Sequence, residues 1–215
     1  LQASRGRRIL EIGAGAGQCA RWLIRHVGAS VVATDLSSGM LRVGAGVSDR
    51  TGVAPPLLQC DALALPFGDA SFDTVFTAYG VVPFVADSAA VMAEVARVLR
   101  PDGVLVMNSP DEPGWRYLAD VVAGARAAFG HDGSLALVAM RDVIKGRRYG
   151  NAVLVAAHRP LDVDEILRQV GRWPFPSGVL GAAELARRTA GGRVITDGEA
   201  RPAPTAPDPG AWRVR

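Results

Sequence analysis

The sequence has 215 residues, of which 49% are hydrophobic, enough for one domain with a full core. No apolar run approaches the roughly 20 residues that a membrane-spanning helix needs. The net charge of +3 is carried almost entirely by scattered arginines, so we expect neither a nucleic acid nor a membrane as partner. The two cysteines, Cys19 and Cys60, are too few for a disulfide framework, and with the dispersed histidines they show no metal-ligand spacing. We therefore expect no metal and a reducing, cytoplasmic setting.

Strand and helix patterns alternate through the first half of the chain. Five apolar or β-branched runs predict strands, at RRILEIG, SVVATD, PLLQCD, SFDTVFTAY and GVLVMNS. Helices are predicted over QCARWLIRHVG, from Ser37 or Ser38 through Met40, and over DSAAVMAEVARVLR. Gly44 and Gly46 weigh against the second of these helices. The alternation predicts an α/β fold, with a Rossmann-like, doubly wound, mostly parallel sheet and helices on both faces.

The second half has a less regular pattern. It predicts a helix over GWRYLADVVAGARAAFG, a strand over NAVLVAAH and a helix over DVDEILRQVG. We therefore predict a single domain over residues 1–198, with a core at 7–110 and an irregular part at 111–198. A Pro/Ala-rich tail at 199–215 is expected to be disordered.

Three glycines stand at alternate positions behind the first strand, in the stretch ILEIGAGAGQCA. Gly13, Gly15 and Gly17 lack a Cβ, so the backbone can turn tightly and approach a ligand at the N-terminus of the next helix. Dinucleotides use such a turn through their pyrophosphate, and adenosyl ligands use it without phosphate. The dinucleotide fingerprint fits from Gly15 only in its looser form, with Ala20 in third place. The glycines alone leave both ligand classes open.

Carboxylates at the strand ends help to separate the two ligand classes. Glu11 precedes Gly13 by two residues, beside the place where a pyrophosphate would lie, and a buried carboxylate near phosphate is unfavourable. Asp35 ends the second strand and Asp61 follows the third, placed for a ribose diol and an adenine amine. The glycine loop itself contains neither Lys nor Arg. This arrangement favours a ligand that carries positive charge, such as S-adenosylmethionine.

Residues 9–109 resemble the core of class I S-adenosylmethionine-dependent methyltransferases. The branch is methyltransferase type 11, which includes the ubiquinone/menaquinone C-methyltransferases. The matching stretches are LEIGAGAGQCARWL, VVATDLSSGML, QCDALALPFGDASFDTVFTAYGVVPFV and VMAEVARVLRPDGVLVM. Several ordered motifs over about half of the chain are more specific than one glycine loop.

The resemblance implies which residues contact S-adenosylmethionine. They are Glu11, Gly13, Ala14, Gly15, Gly17, Asp35, Leu36, Met40, Asp61, Ala62, Ala78 and Tyr79. Glu11 and the glycines would line the methionine end, and Asp35 would bind the ribose hydroxyls. An ordinary structural role is the alternative, in which Asp35 caps a helix or forms a turn.

The remaining contacts implied by the resemblance concern the adenine and the methyl group. Leu36 and Met40 would pack on the adenine, although apolar residues at a strand–helix junction are equally often core. Asp61 and Ala62 would contact the adenine edge. Ala78 and Tyr79 would lie near the methyl group.

Three functions are compatible with these residues. The first is methyl transfer to a small-molecule acceptor, since the stretch AYGVVPF lacks the NPPY-like motif of enzymes that methylate amide or nucleobase nitrogen. The second is an NAD(P)-binding oxidoreductase, and the third a non-catalytic methyltransferase-like domain. No constellation of His, Lys or carboxylate side chains supplies a general base, so no catalytic residue is assigned.

The sequence departs from the family pattern at both ends. It begins with Leu1 and has little ahead of Ile9, where the family carries helices, so we expect that a preceding segment is missing. The family also ends in a strand hairpin that completes the sheet. Residues 172–215 show no convincing hairpin, so its presence is left open.

Overall fold

A computed structural model describes residues 6–78, 81–130 and 134–199 of the chain. The strands are β1 (Arg8–Ile12), β2 (Ser30–Asp35), β3 (Leu57–Gln59), β4 (Phe72–Thr77), β5 (Leu99–Asp111), β6 (Leu135–Met140), β7 (Gly150–Ala157) and β8 (Ser177–Gly181). The helices are α1 (Gln18–Val27), α2 (Ser38–Thr51), α3 (Ser88–Val98), α4 (Arg116–Phe129), α5 (Arg141–Ile144), α6 (Val163–Val170) and α7 (Ala182–Arg188). None of the helices in these ranges has the length and apolar character needed to cross a membrane.

The strands form one sheet in the order β3-β2-β1-β4-β5-β7-β6-β8. The pairs β1–β2, β1–β4, β2–β3 and β4–β5 are parallel, which confirms the predicted arrangement of the first five strands. Strand β7 is antiparallel to both of its neighbours, and β8 is antiparallel to β6. Because the carboxyl ends of parallel strands meet at one edge, the residues that follow β1, β2, β3 and β4 come together there.

The sheet is covered on both faces in its first half, as expected for a doubly wound fold. Ile9 and Leu10 are successive residues of β1, so their side chains point to opposite faces. Ile9 packs in a cluster with the buried face of α1, whereas Leu10 belongs to the large cluster beneath α3 and α4. The apolar run of β1 is therefore buried on both sides, which is typical of a central parallel strand.

The second half contains an antiparallel strand hairpin, which the sequence analysis neither predicted nor excluded. It lies ahead of residues 172–215, where the family pattern would place it. Strands β6 and β7 pair antiparallel from Leu135 with Ala156 to Ala139 with Ala152, well ahead of residue 172. β7 and helices α4 and α6 were predicted, while β6, β8, α5 and α7 were missed. The stretch LALVAM of β6 is almost wholly buried, so it lacks the apolar–polar alternation by which a strand is recognised.

Helix α2 begins where the sequence indicated and continues further than the glycines suggested. The Ser37 hydroxyl accepts a hydrogen bond from the Met40 amide, and the helix then runs to Thr51 through Gly44 and Gly46. A Cβ at Gly44 would lie 2.8 Å from the Ala16 carbonyl oxygen. Packing against the glycine loop therefore requires a residue that local helix propensity disfavours.

The end of the described chain lies on the side of α3 and α4. The Ile195 carbonyl accepts a hydrogen bond from the Ala89 amide, and the Asp120 carboxylate accepts one from the Arg193 amide. Glu199, the first residue of the predicted tail, ends a 3₁₀ turn that begins at Asp197. Residues 200–215 lie outside the described ranges, so the predicted disorder there and the bounds of the single domain stay predictions.

Candidate functional site

The glycine loop after β1 has the backbone conformation that only glycine adopts readily. Gly13, Gly15 and Gly17 have φ angles of 65°, 55° and 72°, all in the left-handed region. The Ala14 amide donates to the Thr34 carbonyl at 2.9 Å, which fastens the loop to β2. Gly17 is also the N-cap of α1 and has no side chain to cap the helix. Gly13 and Gly15 are thus partly exposed at the carboxyl edge of the sheet, whereas Ala14 and Gly17 are buried.

Glu11 lies beneath this loop and not in its opening. Its side chain is only 1% exposed, and its Oε2 accepts a hydrogen bond of 2.9 Å from the Ala20 amide in the first turn of α1. Burial raises the pKa of Glu11 to about 7, although the bond from Ala20 and the charge of Arg21 both lower it. The Glu11 carboxyl therefore titrates near neutral pH and supports the N-terminus of α1.

Asp35 joins the glycine loop to the start of α2. Its Oδ2 accepts from the Gly15 amide at 2.7 Å, and its Oδ1 accepts from the Ser37 amide at 2.8 Å. The turn-forming role that we considered for Asp35 is therefore present. Each carboxylate oxygen can accept a second hydrogen bond, so this role leaves acceptor capacity at the opening of the loop.

Leu36 and Met40 flank the same opening and are not core residues. Leu36 is 67% exposed and Met40 is 43% exposed. The Met40 methyl group lies close to Gly15, since a Cβ there would be 3.2 Å from Met40 Cε. Two large apolar side chains beside a bare backbone loop form a surface suited to a flat apolar group.

Asp61 and Ala62 follow β3 and differ in exposure. Asp61 is exposed, and its Oδ1 accepts from the Leu63 amide at 2.9 Å in a tight turn. The Ala62 side chain is buried in the large core cluster, so only its backbone is available to a ligand. Leu63, which the sequence reasoning did not select, is 37% exposed next to Asp61.

Val81, four residues after the end of β4, lies against the start of the glycine loop. The Ala78 carbonyl accepts a hydrogen bond of 2.9 Å from the Asn108 side-chain amide. Val81 lies against Gly13, where a Cβ would come within 2.6 Å of Val81 Cγ2. Tyr79 lies outside the described residues. Strand β4 therefore brings its end to the same place as β1 and β2.

A buried arginine, missed by the sequence reasoning, holds the loop to α2. The Arg21 guanidinium donates to the Ala16 carbonyl of the loop, and also to Gly44 O and Ser48 Oγ of α2, both at 3.3 Å. Its guanidinium is thus engaged by the loop and by α2, and its charge also acts on Glu11. Nothing in the local sequence distinguishes Arg21 from the exposed Arg25 of α1, because the burial of Arg21 depends on where α2 packs.

Comparison with known proteins agrees with this geometry. Residues 10–107 match the family model described as a methyltransferase domain, and they span the elements from β1 into β5. These residues include every strand end that forms the candidate site. This part of the chain is therefore similar to a methyltransferase domain.

Curated relatives match the same part of the chain. The chain is 39% identical over 104 residues to the ubiquinone/menaquinone biosynthesis C-methyltransferase of Bordetella avium, covering 47% of this chain and 40% of that protein. It is 40% identical over 109 residues to the demethylmenaquinone methyltransferase of Thermus thermophilus, covering 50% of this chain and 49% of that protein. The matched part of the chain thus spans less than half the length of either relative.

A solved structure extends the likeness in fold to the second half of the chain. A probable spermidine synthase from Corynebacterium glutamicum superposes with a TM-score of 0.72 at 22% identity. The superposition covers 94% of this chain and 74% of that one. At this identity the likeness shows the fold alone, including the strands that follow β5.

Gly44 and Gly46 both lie in α2, but only Gly44 packs closely against the glycine loop. A Cβ at Gly44 would meet the Ala16 carbonyl oxygen at 2.8 Å, whereas a Cβ at Gly46 would meet only the end of the Arg50 side chain at 3.6 Å. We expect Gly44→Ala to lower the free energy of unfolding by about 1–3 kcal/mol through overpacking. Gly46→Ala should raise it by roughly 0.5–1 kcal/mol, because alanine favours the helix.

Chemical denaturation of the two variants and the parent protein measures both changes. The matched pair separates the close approach to Ala16 from the general effect of alanine in a helix. Equal stabilisation by the two substitutions would show that α2 does not press on the loop.

Proposed function

We propose that this chain binds S-adenosylmethionine at the glycine loop and transfers its methyl group to a small-molecule acceptor. The observation that carries the proposal is the opening shared by β1 and β2. There the Asp35 carboxylate and the Met40 side chain both lie against Gly15 of the left-handed glycine backbone, and the exposed Leu36 directly follows Asp35. Carboxylate acceptors beside a ribose and apolar side chains beside an adenine are the groups that an adenosyl ligand needs.

The charges around the loop support a cationic ligand over a dinucleotide. Glu11 lies below the loop, and Asp35 stands at its opening. The nearest buried cation, Arg21, is engaged by carbonyls of the loop and of α2. A pyrophosphate placed here would face the Asp35 carboxylate, whereas the sulfonium and ammonium groups of S-adenosylmethionine would be attracted to it.

When bound, S-adenosylmethionine supplies a methyl group on a positively charged sulfur that is already a good leaving group. The protein then has mainly to align the acceptor and exclude water. In this proposal Asp35 orients the ribose and Leu36 and Met40 hold the adenine, while Ala78 and Tyr79 border the acceptor. The loop residues Gly13, Ala14, Gly15 and Gly17 approach the methionine end through their backbone.

We propose the class of acceptor from the names of the curated relatives. The names of the Bordetella and Thermus proteins connect them with quinone biosynthesis, which favours a small-molecule acceptor here as well. Neither a nucleic acid nor a membrane is part of the proposal. We also propose a cytoplasmic setting, which is supported by two free cysteines, Cys19 and Cys60.

Calorimetric titration with S-adenosylhomocysteine and with NADH, side by side, tests the cofactor. We expect binding of S-adenosylhomocysteine and none of NADH. The reverse result would establish the oxidoreductase alternative, and binding of neither would favour a domain that has kept the fold without the ligand. A methylation assay with radiolabelled S-adenosylmethionine and a panel of quinols and phenols then tests the transfer itself.

A further inference from the structure

A second concave site lies at the carboxyl edge of the sheet, beyond the glycine loop. It is a cavity of about 230 Å³ lined by Gly114, Trp115, Ile144, Lys145, Gly146 and Arg188. These residues come from the connection between β5 and α4, the turn after α5, and the end of α7. The cavity is smaller than the ~300–1,000 Å³ of sites that enclose a whole drug-sized ligand, so it suits one end of a molecule.

Positive charge is concentrated around this cavity. Segments 141–148 and 184–188 carry six Lys or Arg side chains and two carboxylates, a surplus of four charges in a chain whose net charge is +3. Asp142 pairs with Arg147, and Glu184 pairs with both arginines of α7. The three remaining cations form no ion pair with any residue of the described ranges. They are Arg141, Lys145 and Arg148.

The other carboxylates nearby reduce this surplus without cancelling it. Asp111 is buried and accepts hydrogen bonds from the amides of Glu112 and Leu118, so its charge is turned toward the start of α4. Glu112 is exposed on the same connection. The Arg148 guanidinium, in contrast, reaches only the sulfur of Met140, at 2.9 Å.

Two cations line the cavity, and they differ in how they are held. Arg188 is fixed by contacts, whereas Lys145 is exposed. The Arg188 guanidinium lies 5.7 Å from the centroid of the Trp115 ring, and it donates to Glu184 and to the Ile144 carbonyl. Trp115 is itself buried and has a φ angle of 53°, a conformation uncommon for a residue with a large side chain. Lys145 is exposed and carries a flexible ammonium group.

The cavity lies within reach of the proposed methyl-transfer site. Strands β4 and β6 are separated in the sheet by β5 and β7. Three strand spacings correspond to about 14 Å between the end of β4, near Ala78, and the end of β6, near Lys145. A molecule of that length could place one end beside the methyl group and the other in the cavity.

We propose that the cavity binds an oxyanion group, phosphate or carboxylate, at the far end of an elongated methyl acceptor. This inference rests on the proposed function for the identity of the acceptor site, but not for the anion site itself. Lys145 supplies the main charge, and Arg188 on Trp115 forms the fixed wall. The acceptor is accordingly an anionic molecule and not a neutral one.

Titration with inorganic pyrophosphate at low ionic strength tests the site, with inorganic phosphate and succinate in parallel arms to distinguish phosphate from carboxylate. We expect Lys145→Ala to weaken binding of the preferred anion by at least about fivefold, because the bond from the ammonium group to the anion is a charge-assisted hydrogen bond. Arg25→Ala removes an equal charge from the exposed side of α1 and should change binding by less than about twofold.

Equal weakening by the two substitutions, or no binding of any of the three anions, would overturn the proposal. S-adenosylhomocysteine titrated into the same samples separates this inference from the proposed function. Its affinity should be the same in Lys145→Ala as in the parent protein. Failure of S-adenosylhomocysteine to bind the parent protein would refute the cofactor assignment and leave the anion site standing on its own measurement.

Discussion

Replacing Asp35 by alanine is expected to weaken binding of S-adenosylhomocysteine roughly 10- to 1000-fold. Hydrogen bonds from a ribose diol to a carboxylate contribute about 1.5–3 kcal/mol each, and about 1.4 kcal/mol corresponds to a factor of ten. The same substitution removes the acceptor for the amides of Gly15 and Ser37, at 2.7 and 2.8 Å. We therefore expect a lower melting temperature as well, because the loop loses its anchor to α2.

Calorimetric titration well below the melting temperature isolates the affinity from the stability. Asp49→Ala is the matched control, since Asp49 is an exposed carboxylate on α2 away from the loop. It should change neither quantity appreciably. If Asp35→Ala lowered the melting temperature and left the affinity unchanged, Asp35 would be a turn former only.

Replacing Glu11 by glutamine is expected to change how stability depends on pH. The folded-state pKa of Glu11 is raised from 4.5 to about 7 by burial. Its protonated form is therefore favoured in the folded protein. The contribution of protonated Glu11 to the free energy of unfolding is fully present below about pH 4.5. It is lost as the pH rises through about 7. The shift corresponds to roughly 3 kcal/mol between these limits. The glutamine side chain does not ionise, so the Glu11→Gln variant should not lose stability over this pH range.

Denaturant unfolding at intervals from pH 5 to pH 8 measures the difference between the variant and the parent protein. All other ionisable groups are common to both proteins, so their contributions cancel in the difference. Glu94→Gln is a control, because hydrogen bonds from Arg97 lower the pKa of Glu94 and move its titration to more acidic pH. Glu94→Gln should destabilise by the same amount throughout this range. A Glu11→Gln difference that is constant from pH 5 to pH 8 would contradict the prediction.

Local sequence determined the first half of the fold and the position of the glycine loop. The strand residues of β1 and β2 are apolar or β-branched, and the glycines, Asp35 and the Ser37 cap follow them directly. Each of these signals acts within a few residues, through backbone conformation or a short-range hydrogen bond. The parallel order then follows from the alternation of strands and helices, so the carboxyl edge and its acidic residues could be predicted together.

Only the tertiary structure decided which residues are buried at that edge and what the second half builds. Strand β6 forms because β7 and β8 pair with it and helices cover it, and its own sequence carries no alternation. Arg21 is buried because α2 packs on the loop at Gly44, while Leu36 and Met40 are exposed because no described element covers them. The cavity beside Lys145 combines three segments that are distant in sequence. Burial and such juxtapositions depend on long-range packing, which no short stretch of sequence specifies.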